Sequence, residues 1–165
     1  MEANSLVHKL KSLTDESDEP LDSEPSLIQL SSYFSIEDLT IALQAKKNQF
    51  TILSLNCASL NAKFDQIKIL VENLKANQCM FSAICFQETW LSSQSDLSLL
   101  QLEGYNLIAQ GNICSAHGGL AIYLRECFHY KTLSIYKESD IWEGLFIEVN
   151  SDKIQKKIIL GNILH

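Results

Sequence analysis

Apolar and polar positions alternate along this chain in two different rhythms. The stretch "SIEDLTIALQAKK" (35–47) has helical spacing, with Leu39, Ala42 and Leu43 on one face. Ser35 is placed to cap that helix, and Asp38 completes a capping box. "FTILSL" (50–55) is a short apolar run rich in β-formers and predicts a buried strand. "AKFDQIKILVENLKAN" (62–77) returns to the helical rhythm, with Phe64, Ile67, Leu70, Val71 and Leu74 in phase. "MFSAICF" (80–86) predicts a second buried strand. Strand, helix, strand points to parallel neighbours joined by a crossover.

Beyond Gly104 the rhythm shortens. "GGLAIYL" (118–124), "YKTLSIY" (130–136), "WEGLFIEV" (142–149) and "KKIILGNI" (156–163) predict strands with brief connections. Leu145, Ile147 and Val149 alternate along one face, as in an antiparallel meander. The pattern predicts an α/β domain: one mixed sheet with at least one covering helix and a bare opposite face. Residues 1–30, acidic and carrying both prolines, are expected to be disordered. Residues 31–49 form a lead-in helix region, and 50–165 the domain proper.

Composition adds limits. Of 165 residues, 46% are hydrophobic and 20% charged, which is globular usage. The net charge is −7, concentrated at the front: residues 1–49 hold nine acids and four bases. The domain is therefore near neutral, and strong electrostatic steering towards DNA is not expected. No apolar run has the length of a membrane span, and the N-terminus lacks the apolar centre of a secretory signal. The five cysteines are odd in number and scattered. Reduced thiols in a nuclear or cytoplasmic protein are the expectation.

Two strand ends carry the candidate chemistry. "FTILSLN" ends on Asn56, and "MFSAICFQE" ends on Glu88. In open α/β sheets, ligands gather at the carboxyl ends of strands. A carboxylate and an amide oxygen form a hard donor pair suited to Mg²⁺, which takes few protein ligands and keeps waters or phosphate oxygens. The same residues could simply cap the turns that follow. Cys114, His117, Cys127 and His129 fit no common zinc spacing. His165 has no visible orienting partner for a role as base. Trp90 could stack on a base, although core packing is the commoner fate of such a residue; Trp142 is expected to pack inward. Gly118 and Gly119 lack phosphate-loop spacing and are expected to form a turn entering a strand.

Taken in order, "LNCASLNAKFDQIKILV", "FSAICFQETWL", "HGGLAIYL", "WEGLFIEV" and "IILGNI" resemble the opening half of an endonuclease/exonuclease/phosphatase (deoxyribonuclease I-like) domain. They are most similar to the endonuclease of non-LTR (LINE-type) retrotransposon polyproteins. The resemblance spans residues 31–163. It implies the first half of a four-layer α/β sandwich and Mg²⁺-dependent nicking of DNA. Asn56 and Glu88 match the first two metal positions. The family's later groups, a histidine base with its carboxylate and an Asp-x-Asn pair, have no counterpart in this chain. Leu164 stands where the family carries a tyrosine, and Ala58 where it carries a basic residue. The resemblance therefore implies a truncated domain, inactive alone. The alternatives are a non-catalytic relic or interaction fragment, or a phosphatase or exonuclease of the same superfamily. Half a sandwich would expose apolar strand faces and open edges, an aggregation hazard.

Overall fold

The computed structural model describes residues 35–110, 117–138, 142–151 and 154–164. The acidic segment, Cys114 and His165 lie outside them. The chain divides into two units, Met1–Tyr33 and Phe34–His165, and every described residue belongs to the second. No helix among the described residues is long and apolar enough to cross a membrane.

Helix α1 spans Ile36–Ala45 and starts as its sequence dictates. Ser35 Oγ accepts from the Asp38 N–H at 3.1 Å, and the Asp38 carboxylate accepts from the Ser35 N–H at 3.1 Å. Strand β1 (Ile52–Asn56) leads through a tight turn into helix α2 (Leu60–Ala76). The helix begins two residues before the sequence rhythm suggests, because Ser59 Oγ caps the Ala62 N–H and Leu60 is drawn into the core. Strand β2 (Ala83–Gln87) lies parallel to β1, with Ile52 opposite Ala83 and Asn56 opposite Gln87.

Strand β3 (Tyr105–Gln110) and strand β4 (Leu120–Arg125) complete the first sheet in the order β1-β2-β4-β3. β4 runs antiparallel to both its neighbours. β3 escaped the sequence reading because both of its faces are packed. Leu107 points towards the helices and Ile108 towards the opposite layer, so no polar alternation marks it.

Strands β5 (His129–Glu138), β6 (Trp142–Ser151) and β7 (Ile154–Leu164) form a second, antiparallel sheet. This corrects the expectation of one mixed sheet with a bare face. The first sheet presents Ala83, Cys85, Ile108, Leu120, Ile122 and Leu124 on the side away from the helices, an apolar surface that must be covered. Leu145, Ile147 and Val149 of β6 and Leu160 of β7 cover it. The described residues thus build three layers: helices, mixed sheet, antiparallel sheet. One core lies between α2 and the first sheet, a second between the sheets.

β1 is not the buried strand its composition suggests. It sits at the sheet edge, and the second sheet packs over β2 and β4. Ile52 is left 47% exposed. The outer face of the second sheet is also open, with Ile159 69% and Ile163 53% exposed.

Candidate functional site

The parallel pairing of β1 and β2 puts their carboxyl ends side by side, about 4.8 Å apart in the hydrogen-bonding direction. Asn56 is the last residue of one strand, and Glu88 follows the last residue of the other. The two turns are sewn together by backbone bonds. The Cys57, Ser59 and Leu60 N–H groups donate to the carbonyls of Gln87, Glu88 and Thr89 at 2.8–2.9 Å. The turn entering β4 joins them: Thr89 N–H donates to Gly119 at 3.2 Å and Trp90 N–H to Gly118 at 2.8 Å.

The backbone here is strained. Ala58 (φ 44°), Ser59 (φ 86°), Glu88 (φ 54°) and Trp90 (φ 53°) all occupy the left-handed region, and Gln78 is the fifth such non-glycine among the described residues. Each costs of order 1–3 kcal/mol and persists only where its surroundings force it. Their concentration around two strand ends marks the place where conformation is held against local preference.

The Glu88 carboxylate is held by one oxygen. Its Oε2 accepts from the Gly118 N–H at 2.8 Å and from Trp90 Nε1–H at 2.9 Å. No hydrogen bond among the described residues engages Oε1, or the exposed amide of Asn56. The two adjoining strand ends thus leave two hard oxygen donors without a hydrogen bond among the described residues. Among the described residues, no cluster of three or more His, Cys, Asp or Glu could hold a metal. A sparse all-oxygen donor set fits Mg²⁺ and does not fit a zinc or thiolate centre.

Other candidate residues sort as follows. Trp90 is not core: it is 40% exposed, bonded to Glu88, and meets His117 edge-on with ring centroids 5.2 Å apart. Gly118 and Gly119 form the expected turn, both with positive φ (83° and 87°). His117 lies at the Glu88 end of β4, whereas Cys127 and His129 lie beyond its other end. Six residues of strand separate them by roughly 20 Å, so these groups do not converge on a zinc ion.

Two participants were missed by sequence reasoning. The N–H of Gly119 donates to Glu143 Oε2 at 2.8 Å, and Glu143 is only 9% exposed on β6. The signal was present in the alternation, since Glu143 is in phase with inward Leu145, Ile147 and Val149. Thr89 is fully buried, and its hydroxyl has no partner among the described residues.

Cys57 adjoins Asn56, and its thiol donates to the Gln87 carbonyl at 3.3 Å. Burial pushes it up to about 11, with the Glu88 charge adding to the rise. Burial alone pushes Cys85 up to about 11. A thiol with a raised pKa stays protonated, and unreactive, until the pH climbs towards that value. With iodoacetamide at pH 8, mass spectrometry should find exposed Cys127 alkylated at least roughly tenfold faster than Cys57 or Cys85. Raising the pH towards 11 should bring Cys57 forward first, since Cys85 lies between the sheets. Equal rates at pH 8 would contradict the assigned burial.

No family model matches the chain. Among solved structures, it is similar to the AP endonuclease LMAP from Leishmania major, with a TM-score of 0.51 and 17% identity over 70% of this chain. The match covers 40% of that enzyme's length. The 3′ phosphatase NExo from Neisseria (TM-score 0.41, 20% identity, 67% of this chain and 40% of that one) also matches. So does a humanized D. rerio TDP2 (TM-score 0.45, 15% identity, 69% and 49%). The likeness to the Leishmania enzyme establishes an α/β fold of the deoxyribonuclease I type, over a stretch 40% as long as that protein.

Proposed function

We propose that this chain carries the cation-binding strand ends of a divalent-metal-dependent phosphodiesterase domain of endonuclease type, acting on DNA. Asn56 and Glu88 are its protein ligands to Mg²⁺. The observation that carries this reading is the pair itself: two open oxygen donors on adjoining parallel strand tips, in turns held in strained conformations. A bound Mg²⁺ would supply Lewis-acid stabilisation of charge on a phosphate. The chain's own residues do the rest of what is present here. Gly118 N–H and Trp90 Nε1–H fix the Glu88 carboxylate through Oε2, which leaves Oε1 free of those bonds. The order of the sequence motifs supports the narrower reading of a non-LTR retrotransposon endonuclease. No residue of this chain matches that family's base or its phosphate-orienting groups, so the chain alone binds the cation and does not cut.

Trp90 offers the test, because its indole touches Glu88 and can sensitise Tb³⁺ luminescence. Saturable Tb³⁺ luminescence, displaced by Mg²⁺ and lost in Glu88→Ala and Asn56→Ala, is expected. Nicking of supercoiled plasmid in Mg²⁺ should stay at background for all three proteins. Luminescence unchanged in Glu88→Ala would sink the metal assignment. Mg²⁺-dependent nicking that vanishes in Glu88→Ala would support the endonuclease assignment and overturn the expectation of a silent chain.

A further inference from the structure

We infer that Glu143 is a positioning residue for the Glu88 carboxylate, acting from the second sheet through the Gly118–Gly119 turn. The inference rests on the reading of Asn56 and Glu88 as a cation site.

Glu143 occupies an inward position of β6, in phase with Leu145, Ile147 and Val149, where an apolar side chain would continue the core. Burying a carboxylate there is costly unless strong hydrogen bonds compensate. One such bond is the 2.8 Å contact from the Gly119 N–H. That donor is not an arbitrary one. The preceding N–H, of Gly118, holds Glu88 Oε2 at 2.8 Å. Two successive amides of one glycine turn therefore face two carboxylates, one from each sheet.

The turn has little intrinsic stiffness. Gly118 and Gly119 both have positive φ, and glycine pays the largest entropic cost for being fixed. Among the described residues, four bonds engage its backbone: Thr89 N–H to Gly119, Trp90 N–H to Gly118, and the two amide–carboxylate bonds. Bonds to a charged acceptor are about twice as strong as neutral ones. Three of the four run to the loop that carries Glu88 itself. The fourth, to Glu143, ties the turn to the second sheet. Removing it frees the turn to move against that loop, which loosens the Gly118 and Trp90 bonds to Glu88 Oε2 and so the hold on the carboxylate.

The test uses the full chain with Glu143→Leu and Glu143→Gln. Glutamine keeps an oxygen acceptor for Gly119 and loses only the charge; leucine loses both. Two NMR signals report on Glu88 without touching Glu143: the Gly118 amide and the Trp90 indole N–H, assigned with Trp90→Phe. In Glu143→Leu, both should exchange with solvent at least tenfold faster, while amides of Ile84 and Tyr123 keep their protection. Tb³⁺ affinity should fall at least tenfold in Glu143→Leu and stay within about threefold of wild type in Glu143→Gln. Unmoved Gly118 and Trp90 signals in a folded Glu143→Leu would overturn the inference. So would Glu143→Gln behaving like Glu143→Leu, which would make charge rather than position the cause. If Glu143→Leu loses core protection, Glu143→Met repeats the test, and the same loss there would assign a purely structural role. If the wild type shows no Glu88-dependent Tb³⁺ signal, the cation reading fails, and the NMR signals still decide whether Glu143 positions Glu88.

Discussion

Asn162→Leu should destabilise the protein by about 3 kcal/mol, because three hydrogen bonds worth about 1 kcal/mol each are lost together. Asn162 sits on the inward face of β7, in phase with Leu160, and is 2% exposed. Its Nδ2 donates to the Phe86 carbonyl at 2.9 Å and the Ala121 carbonyl at 3.1 Å. Its Oδ1 accepts from Gln87 Nε2. Phe86 and Ala121 face each other across β2 and β4, so this one amide joins the second sheet to two strands of the first. Its partner Gln87 immediately precedes Glu88. Leucine fills the volume and replaces none of the bonds, and it leaves the Gln87 amide, among the described residues, with the exposed Ser54 hydroxyl as its acceptor. Urea unfolding followed by circular dichroism would show the midpoint falling with an unchanged slope. A loss below about 0.5 kcal/mol, the range of ordinary surface changes, would mean the amide joint contributes nothing.

Gly119→Ala is the second large effect. Alanine at φ +87° is strained by of order 1–2 kcal/mol. Its Cβ would lie 2.6 Å from Thr89 Oγ1 and 3.4 Å from the Gln110 carbonyl. Thr89 is fully buried and cannot swing away, so overpacking adds about 1–3 kcal/mol. The sum is about 3 kcal/mol, and the turn that holds Glu88 should deform with it. Thr89→Ala removes the clashing oxygen, which has no hydrogen-bond partner among the described residues. In that background Gly119→Ala should cost about 1 kcal/mol less, a coupling that a double-mutant cycle measures. Additive losses would place the penalty entirely in the backbone and not in the contact with Thr89.

Some of this arrangement was legible from the chain alone, where the cause is local. The α1 capping box needs only Ser35 and Asp38 three residues apart. The buried stripe of α2 needs only its own periodicity, and β2 only its apolar run. The strand–helix–strand order by itself puts Asn56 and Glu88 at adjoining strand ends, because a parallel pair aligns its carboxyl ends. Partner choice between distant strands was not legible. The runs at 118–124 and 142–149 look alike in sequence, yet β4 joins β2 while β6 lies across the layer gap, because the first sheet has two apolar faces to cover. Exposure of β1 depended on how far the second sheet reaches, and Trp90's exposure on its bond to Glu88. The placing of Glu143 behind Gly119 was likewise a matter of tertiary structure. Local pattern set which side chains point inward; only the packing of one sheet on the other decided what each of them meets there.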